Sequence, residues 1–278
     1  MTDYLASYYD LESPEIASAT DELSLWAAPF GLRLLDTVRY KQSMKALDIG
    51  FGSGFPLIEL SMRLGKSSEV YGIDLWKAGI ARAEMKLRKY GLTNVHIVEG
   101  MAENLPFADN FFDLIVSNNG LNNVADITKT LSEVSRVAKT GTQFVFTFNT
   151  DRTFPEFYSA YRETLYELGI PEFNKRLHEH IFEKRKPVIF LDRLVRQSGF
   201  SVNTVRDDMF YLRYADGTAM LNHFFIKLAF LESWRNIVPP AHRERLFRRI
   251  EERLNDKSKE LGGLKMEVPF VVFDCEKR

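Results

Sequence analysis

Cysteine is nearly absent from this chain: Cys275 is the only one in 278 residues. A single thiol excludes an intramolecular disulfide, and it excludes the paired CxxC spacing of redox and zinc-ribbon sites. A reducing, cytoplasmic compartment is the corresponding expectation. Net charge is equally scarce, since 37 Lys and Arg face 38 Asp and Glu and leave a formal charge of −1. No overall field recommends a nucleic acid or an anionic membrane as partner. Long apolar runs are missing too: Phe144–Phe148 and Val268–Phe273 fall far short of the ~20 residues of a membrane span. The first residues carry Asp3, Asp10, Glu12 and Glu15 where an export leader needs a basic start and an apolar core, so no leader is expected. At 45% hydrophobic and 27% charged residues the chain has the composition of a folded globular protein.

What is present is an alternation of two periodicities. Short apolar or β-branched runs at Lys45–Ile49, Val70–Ile73, Val95–Val98, Asp113–Ser117 and Gln143–Asn149 read as buried strands. Between them, Leu57, Leu60 and Leu64 end at Gly65; Ile80, Ala83, Leu87 and Tyr90 end at Gly91; Ile127, Leu131, Val134 and Ala138 end near Gly141. Such spacing closed by glycine is a helix with its left-handed stop. Strands alternating with helices imply a parallel sheet with helices on both faces, and ligands of such sheets bind beyond the carboxyl ends of the strands. Helical insertions are expected over 151–190 and 218–262, an N-terminal helical cap over 1–40, and a last strand at Met266–Cys275. No low-complexity linker separates them, so a single domain over 1–278 is expected.

The strongest chemical signal is Lys45-Ala-Leu-Asp48-Ile-Gly50-Phe-Gly52-Ser-Gly54-Phe-Pro56, a strand entering a glycine loop and then a helix. Glycines at alternate positions let the backbone approach a ligand where a Cβ would block it. The sixth position of a dinucleotide fingerprint would be glycine but is Phe55, and Asp48 at the loop entry disfavours a phosphate while suiting a cationic ligand. A nicotinamide dehydrogenase is therefore the weaker competitor, and a noncatalytic binding protein a second one. Asp74, closing the next strand, can accept two hydrogen bonds from a ribose diol, with Leu75 and Trp76 offering apolar surface to a purine. Gly100-Met101-Ala102-Glu103 follows strand three and Ser117-Asn118-Asn119 ends strand four.

With these segments in order, the chain resembles the class I S-adenosylmethionine-dependent methyltransferases, especially the small-molecule group with a ubiquinone/menaquinone-type core. The resemblance covers about Lys41 to Asn149 and rests on DIGFGSG, GIDLW, EGMAENLPF, FDLIVSNN and SEVSRVAKTG. It implies a Rossmann-like α/β fold with a seven-stranded, mostly parallel sheet, its last strand antiparallel and helices on both faces; the helical insertions and the N-terminal segment are expected to form a lid over the cofactor. It implies S-adenosyl-L-methionine as cofactor and methyl transfer to a small organic acceptor; the aromatic residues of the N-terminus and insertions, among them Tyr4, Phe157, Tyr158 and Phe224, make an apolar or aromatic acceptor the expectation. By the same resemblance Gly50, Gly52 and Gly54 form the cofactor loop, Asp48 lies near the amino group, and Asp74 holds the ribose. Ala102 and Glu103 address adenine through their backbone, and Asn118 lines the sulfonium side. Met101 departs from the pattern, standing where relatives carry an aspartate to the adenine amino group.

No nucleophilic side chain is required and none is assigned; should the acceptor need a base, Tyr8, Tyr9, His223 and Glu156 are the candidates. His178-Glu179-His180 is not read as a metal pair, because residues two apart on a helix face different ways. It is expected on the solvated surface, as is the basic cluster Lys175, Arg176, Lys184, Arg185 and Lys186, for which a docking patch for an acidic carrier or anionic substrate is the alternative.

Overall fold

The computed structural model describes residues 2–22 and 25–278; the expected cap over 1–40 includes Met1, Leu23 and Ser24, which lie outside the described residues. Seven strands form one sheet: β1 (Lys45–Ile49), β2 (Glu69–Asp74), β3 (Val95–Glu99), β4 (Phe112–Asn118), β5 (Ala138–Asn149), β6 (Phe200–Tyr214) and β7 (Leu264–Lys277), in the order β3-β2-β1-β4-β5-β7-β6. Strands β1 to β5 pair in parallel, and β7 enters antiparallel to β5. The parallel part is what the alternation of strands and helices implies, and the seven-stranded Rossmann-like sheet with its antiparallel strand is what the family resemblance implies. The order reverses at β1, whose neighbours are β2 and β4, so the crevice beyond their carboxyl ends is where a ligand is seated.

The chain divides into two compact units. A sheet unit comprises Leu11–Thr150, Pro187–Asp208 and Phe270–Arg278; a helical unit comprises the residues up to Asp10, Asp151–Lys186 and Met209–Pro269.

In the sheet unit, α1 (Pro14–Glu22), α2 (Ala27–Thr37), α3 (Leu57–Leu64), α4 (Lys77–Tyr90), α5 (Ile127–Val137) and α8 (Val188–Gln197) surround the strands. Leu131 and Val134 of α5 and Leu191 and Val195 of α8 pack with Ile73, Phe144, Phe146 and Phe273 into one buried cluster. Gly72 lies on the other face: a Cβ there would meet Leu57 of α3 at 2.6 Å. Because neighbouring strand residues point to opposite faces, Ile73 and Gly72 place α5 and α8 on one side of the sheet and α3 on the other. Gly65 and Gly91 close α3 and α4 with positive φ, as their spacing predicts.

Gly141 does not close α5. That helix ends at Val137, the strand begins at once with Ala138 opposite Phe112, and Gly141, at φ +82°, lies inside β5. The register of β5 against β4 shifts between Phe112 and Leu114, so the glycine serves an irregular strand rather than a helix stop.

The helical unit contains α6 (Pro155–Glu167), α7 (Asn174–Lys184), α9 (Gly217–Asn222), α10 (Phe224–Ile226), α11 (Glu232–Arg235) and α12 (Pro240–Leu261). Leu246, Phe247, Ile250 and Leu254 form the buried stripe of α12, which packs on α6 and α9. Two surface expectations fail here. Arg185 is 3% exposed, and His180 is half-buried with its Nε2 3.2 Å from the Tyr158 hydroxyl. Local composition reads as solvated, but the aromatic rings of α6 and α11 cover these two positions, Trp234 and Phe157 being wholly buried.

Candidate functional site

A cavity of about 410 Å³ opens beyond the carboxyl ends of the central strands. Of the residues expected at the cofactor, Gly50, Gly52, Asp74 and Leu75 line it from the β1 and β2 side. Met101, Ala102 and Glu103 line it from the loop after β3. Its volume lies in the range of small-molecule sites.

The glycine loop is shaped by two different needs. Gly50, at φ +78°, is pressed against the turn after β4, where a Cβ would come within 2.9 Å of the Gly120 Cα. Gly52, at φ +57°, faces open space instead, with no atom within 4 Å of where a Cβ would stand. The first glycine allows two loops to touch, and the second leaves bare backbone toward a ligand. Gly54, at φ +116°, turns away from the cavity; a Cβ there would strike Ile58 at 2.7 Å, so its role is helix packing.

Asp74 organises this corner. Its Oδ2 accepts the Gly52 amide at 2.7 Å and its Oδ1 accepts the Trp76 amide at 2.8 Å. Each oxygen keeps a further lone pair for a ligand hydroxyl. Glu103 is nearly buried and spends its side chain on the opposite wall, its Oε1 accepting the amides of Ala125 and Asp126 at 2.8 and 3.1 Å. Its carboxylate is thus taken up by the backbone just before α5. Met101 is 46% exposed on the cavity lining.

Asp48 is not on the cavity lining; it lies beneath the loop, fully buried, and neither carboxylate oxygen makes a well-formed hydrogen bond among the described residues, the Leu57 amide being the donor that addresses it. Burial, and then the charge of Asp74, push its carboxyl well above the usual range. An unpaired buried acid is costly unless a cation or donor completes it. A ligand ammonium group fits that requirement, and the bare Gly52 backbone fits a ligand lying across the loop.

Asn118 is not on the cavity. Its Nδ2 donates to the Ala27 carbonyl at 3.0 Å and its Oδ1 accepts the Thr147 hydroxyl at 2.9 Å, tying α2 to the strand ends. The wall on this side is made instead by Gly120, Asn123, Val124 and Ala125, none of which stands out in the sequence. Gly120 does carry a usable signal: it closely follows a central parallel strand, and a Cβ there would sit 2.4 Å from the Ile49 carbonyl oxygen. Trp76 and Ile73 complete the lining. The four candidate bases belong to the helical unit: Tyr8 is exposed, the Tyr9 ring meets Phe224 edge-on, His223 packs on Tyr214, and Glu156 accepts the Glu267 amide. Among the described residues no cluster of His, Cys, Asp and Glu has the makings of a metal site.

The methyltransferase-domain family matches residues 40–183. The chain is 32% identical over 183 residues to the demethylmenaquinone methyltransferase of Staphylococcus saprophyticus, covering 63% of this chain and 77% of that protein. It is 39% identical over 105 residues to the demethylmenaquinone methyltransferase of a Geobacillus species, covering 38% and 45%. Among solved structures, the YcgJ protein of Bacillus subtilis superposes with a TM-score of 0.59 at 17% identity over 90% of this chain and 98% of its own. A SAM-dependent methyltransferase of Aquifex aeolicus gives 0.53 at 23% identity over 71% and 92%. These two likenesses are likenesses of fold.

Proposed function

Since the chain belongs to the S-adenosylmethionine-dependent methyltransferases, with the methyltransferase domain spanning residues 40–183, we propose that its cofactor lies in the cavity at β1, β2 and β3 and that the methyl acceptor is a small apolar molecule. The observation that carries this reading is the corner formed by Asp74, Gly52 and the unpaired Asp48. When bound, S-adenosylmethionine supplies a methyl group activated on a sulfonium.

The chain's own residues then have distinct tasks. Asp74 accepts from the ribose hydroxyls with oxygens already oriented by the amides of Gly52 and Trp76. Asp48 supplies the negative charge for the amino group and is paired in return. Leu75 and Trp76 offer apolar surface, while the Ala102 and Glu103 backbone meets the edge of the adenine. Gly50 and Gly120, in mutual contact, hold the loops after β1 and β4 at a fixed spacing. Catalysis by positioning and by exclusion of water needs no nucleophilic side chain.

The relatives' name directs the acceptor test to a demethylated naphthoquinol ring. A reducing, cytoplasmic setting belongs to the same reading and is supported by the lone, buried Cys275. Two measurements on the full chain test the proposal. Calorimetric titration with S-adenosylhomocysteine should show one site per chain, and transfer of labelled methyl to a demethylated naphthoquinol should exceed that to polar amines or nucleic acid. Absence of S-adenosylhomocysteine binding would remove the site; binding with no transfer to any quinol would remove the acceptor class alone.

A further inference from the structure

A second cavity, of about 570 Å³, lies wholly within the helical unit. Tyr158, Ser159 and Arg162 of α6 line it together with Ile181 of α7, and Met209 and Pro269 add apolar surface. Behind Tyr158 lies Arg185. Its side chain is almost completely enclosed, at 3% exposure, its Nε has no hydrogen-bond partner, and no carboxylate pairs with it among the described residues. Its Nη1 donates to the Tyr158 hydroxyl at 2.9 Å, and the guanidinium stands 5.7 Å from the ring centres of Tyr158 and Phe230.

A guanidinium cannot shed its proton in a protein, so burial leaves it charged. One phenol and two aromatic faces do not replace the hydration it has lost. The hydroxyl is itself fully committed: it accepts from Arg185 and, at 3.0 Å, from Trp234 Nε1, so its proton points to His180 Nε2. Burial and the Arg185 charge keep His180 neutral, its pKa pushed down to about 4, which makes Nε2 the acceptor. The cluster thus holds one uncompensated positive charge next to a cavity wall. Arg162, half-buried on that wall, also has no carboxylate partner among the described residues. The lining also carries the carboxylates of Asp151 and Glu267, the latter 3.9 Å from Lys265.

We propose that this cavity binds a small organic oxyanion, a carboxylate or a phosphate ester, with its charge on the Arg162 guanidinium and in the field of Arg185 behind Tyr158, and its apolar body against Ile181, Met209 and Pro269. Its lining shares no residue with that of the cofactor corner, and the proposal does not depend on the methyl-transfer reading.

The test uses the full chain with S-adenosylhomocysteine in excess, so that the cofactor cavity does not report. Benzoate, phenyl phosphate and neutral benzamide are titrated, with thermal unfolding and calorimetry as readouts. At least one anion should bind and raise the melting temperature while benzamide does not, and the preferred anion distinguishes carboxylate from phosphate. Arg162→Gln should weaken that anion about tenfold, the loss of one charged hydrogen bond. Arg185→Met should abolish the anion response and leave the ligand-free protein at least as stable as the parent, because a buried charge without a counter-ion is removed. Equal binding of benzamide, no binding of either anion, or an unaltered anion response in both variants would each overturn the proposal. A drop in melting temperature for Arg185→Met with the anion response preserved would likewise reduce Arg185 to a packing residue. Should Arg185→Met fail to fold, Arg162→Gln decides alone.

Discussion

The carboxylate of Asp74 holds the amide of Gly52 at 2.7 Å, fastening the end of β2 to the loop after β1. One side chain therefore has two duties, shaping the loop and meeting the ligand. Asp74→Ala should lose both, weakening S-adenosylhomocysteine by roughly 1–3 kcal/mol, or about 5- to 150-fold. Asp74→Asn keeps an oxygen for one amide and should fall between. Calorimetry with a melting curve checks this; unchanged affinity in a normally folded Asp74→Ala variant removes the assignment.

Asp48 gives a pH signature. Its carboxyl is raised by burial and by Asp74, so folding favours the protonated form. In the free protein its contribution to stability is fully present below the unfolded pKa and is lost as pH rises toward the folded value. A ligand ammonium reverses the preference and drives the proton off. Binding of S-adenosylhomocysteine should release a proton at pH values below that raised pKa, read as a dependence of the calorimetric enthalpy on buffer ionisation heat. Asp48→Asn should abolish the release and raise the stability of the free protein near neutral pH. Buffer-independent enthalpies across the acid range would contradict the assignment.

The parts of this site that can be read from sequence are those fixed by local chemistry. Gly50, Gly52 and Asp74 sit where a strand must turn sharply, and positive φ or a strand-end carboxylate announces itself in the residue type. Asn118 cannot be placed the same way, because its side chain is claimed by Ala27, 91 positions away along the chain. Its near neighbour Gly120, needed by a backbone contact with Ile49, takes the wall position instead. Arg185 and His180 show the converse: a run of basic and polar residues reads as solvent-facing until distant aromatics such as Trp234 close over it. Strands β1 to β4 are legible to within a residue at either end, since buried parallel strands are apolar runs with abrupt borders. The early start of β5 is hidden by a helical period that runs on into Ala138.

Met101 offers a gain-of-binding test. Its side chain is partly exposed on the cavity wall and brings no hydrogen bond to a purine. Met101→Asp should place a carboxylate at the adenine amino group and strengthen S-adenosylhomocysteine by about 0.5–1.5 kcal/mol. Weaker binding in a folded variant would mean that the adenine lies elsewhere in the cavity.

Asp21 ties the N-terminal helix to the cofactor corner within the sheet unit. Its carboxylate receives Ser53 of the glycine loop at 2.8 Å, Arg82 at 2.9 Å and Lys86 at 2.6 Å. Nearby, Trp76 Nε1 donates to the Leu11 carbonyl at 2.6 Å and the Ala78 amide to Glu12 at 3.2 Å. This strap crosses the cavity wall at Trp76 and the loop at Ser53, so releasing it should speed ligand exchange. Asp21→Ala is expected to raise the dissociation rate of S-adenosylhomocysteine several-fold, on the order of the loss of one or two partly exposed ionic hydrogen bonds. Hydrogen exchange should show 11–22 losing protection in the variant ahead of the β-sheet. An unchanged dissociation rate together with lost protection would leave the strap without a part in ligand retention.

His180 sets the acid limit of the helical unit. Burial, with Arg185 and Lys184 nearby, pushes its pKa from 6.5 down to about 4. Its neutral Nε2 accepts the Tyr158 proton, and protonation would leave that proton without an acceptor and set a second cation beside Arg185. The unfolded chain binds a proton near pH 6.5 and the folded chain resists until about 4. Stability is therefore fully present above the unfolded pKa and declines as pH falls through that window, by about 3 kcal/mol at most. Carboxylates titrating in the same acid range contribute their own slope, so the measurement is a difference. His180→Gln keeps an acceptor for Tyr158 but cannot gain a charge. Chemical unfolding followed from neutral pH into the acid range should show the parent losing stability faster than the variant. Parallel curves would show that His180 takes up its proton as easily in the folded protein as in the unfolded chain. The enclosure of the Tyr158–Arg185 cluster would then be looser than its burial implies.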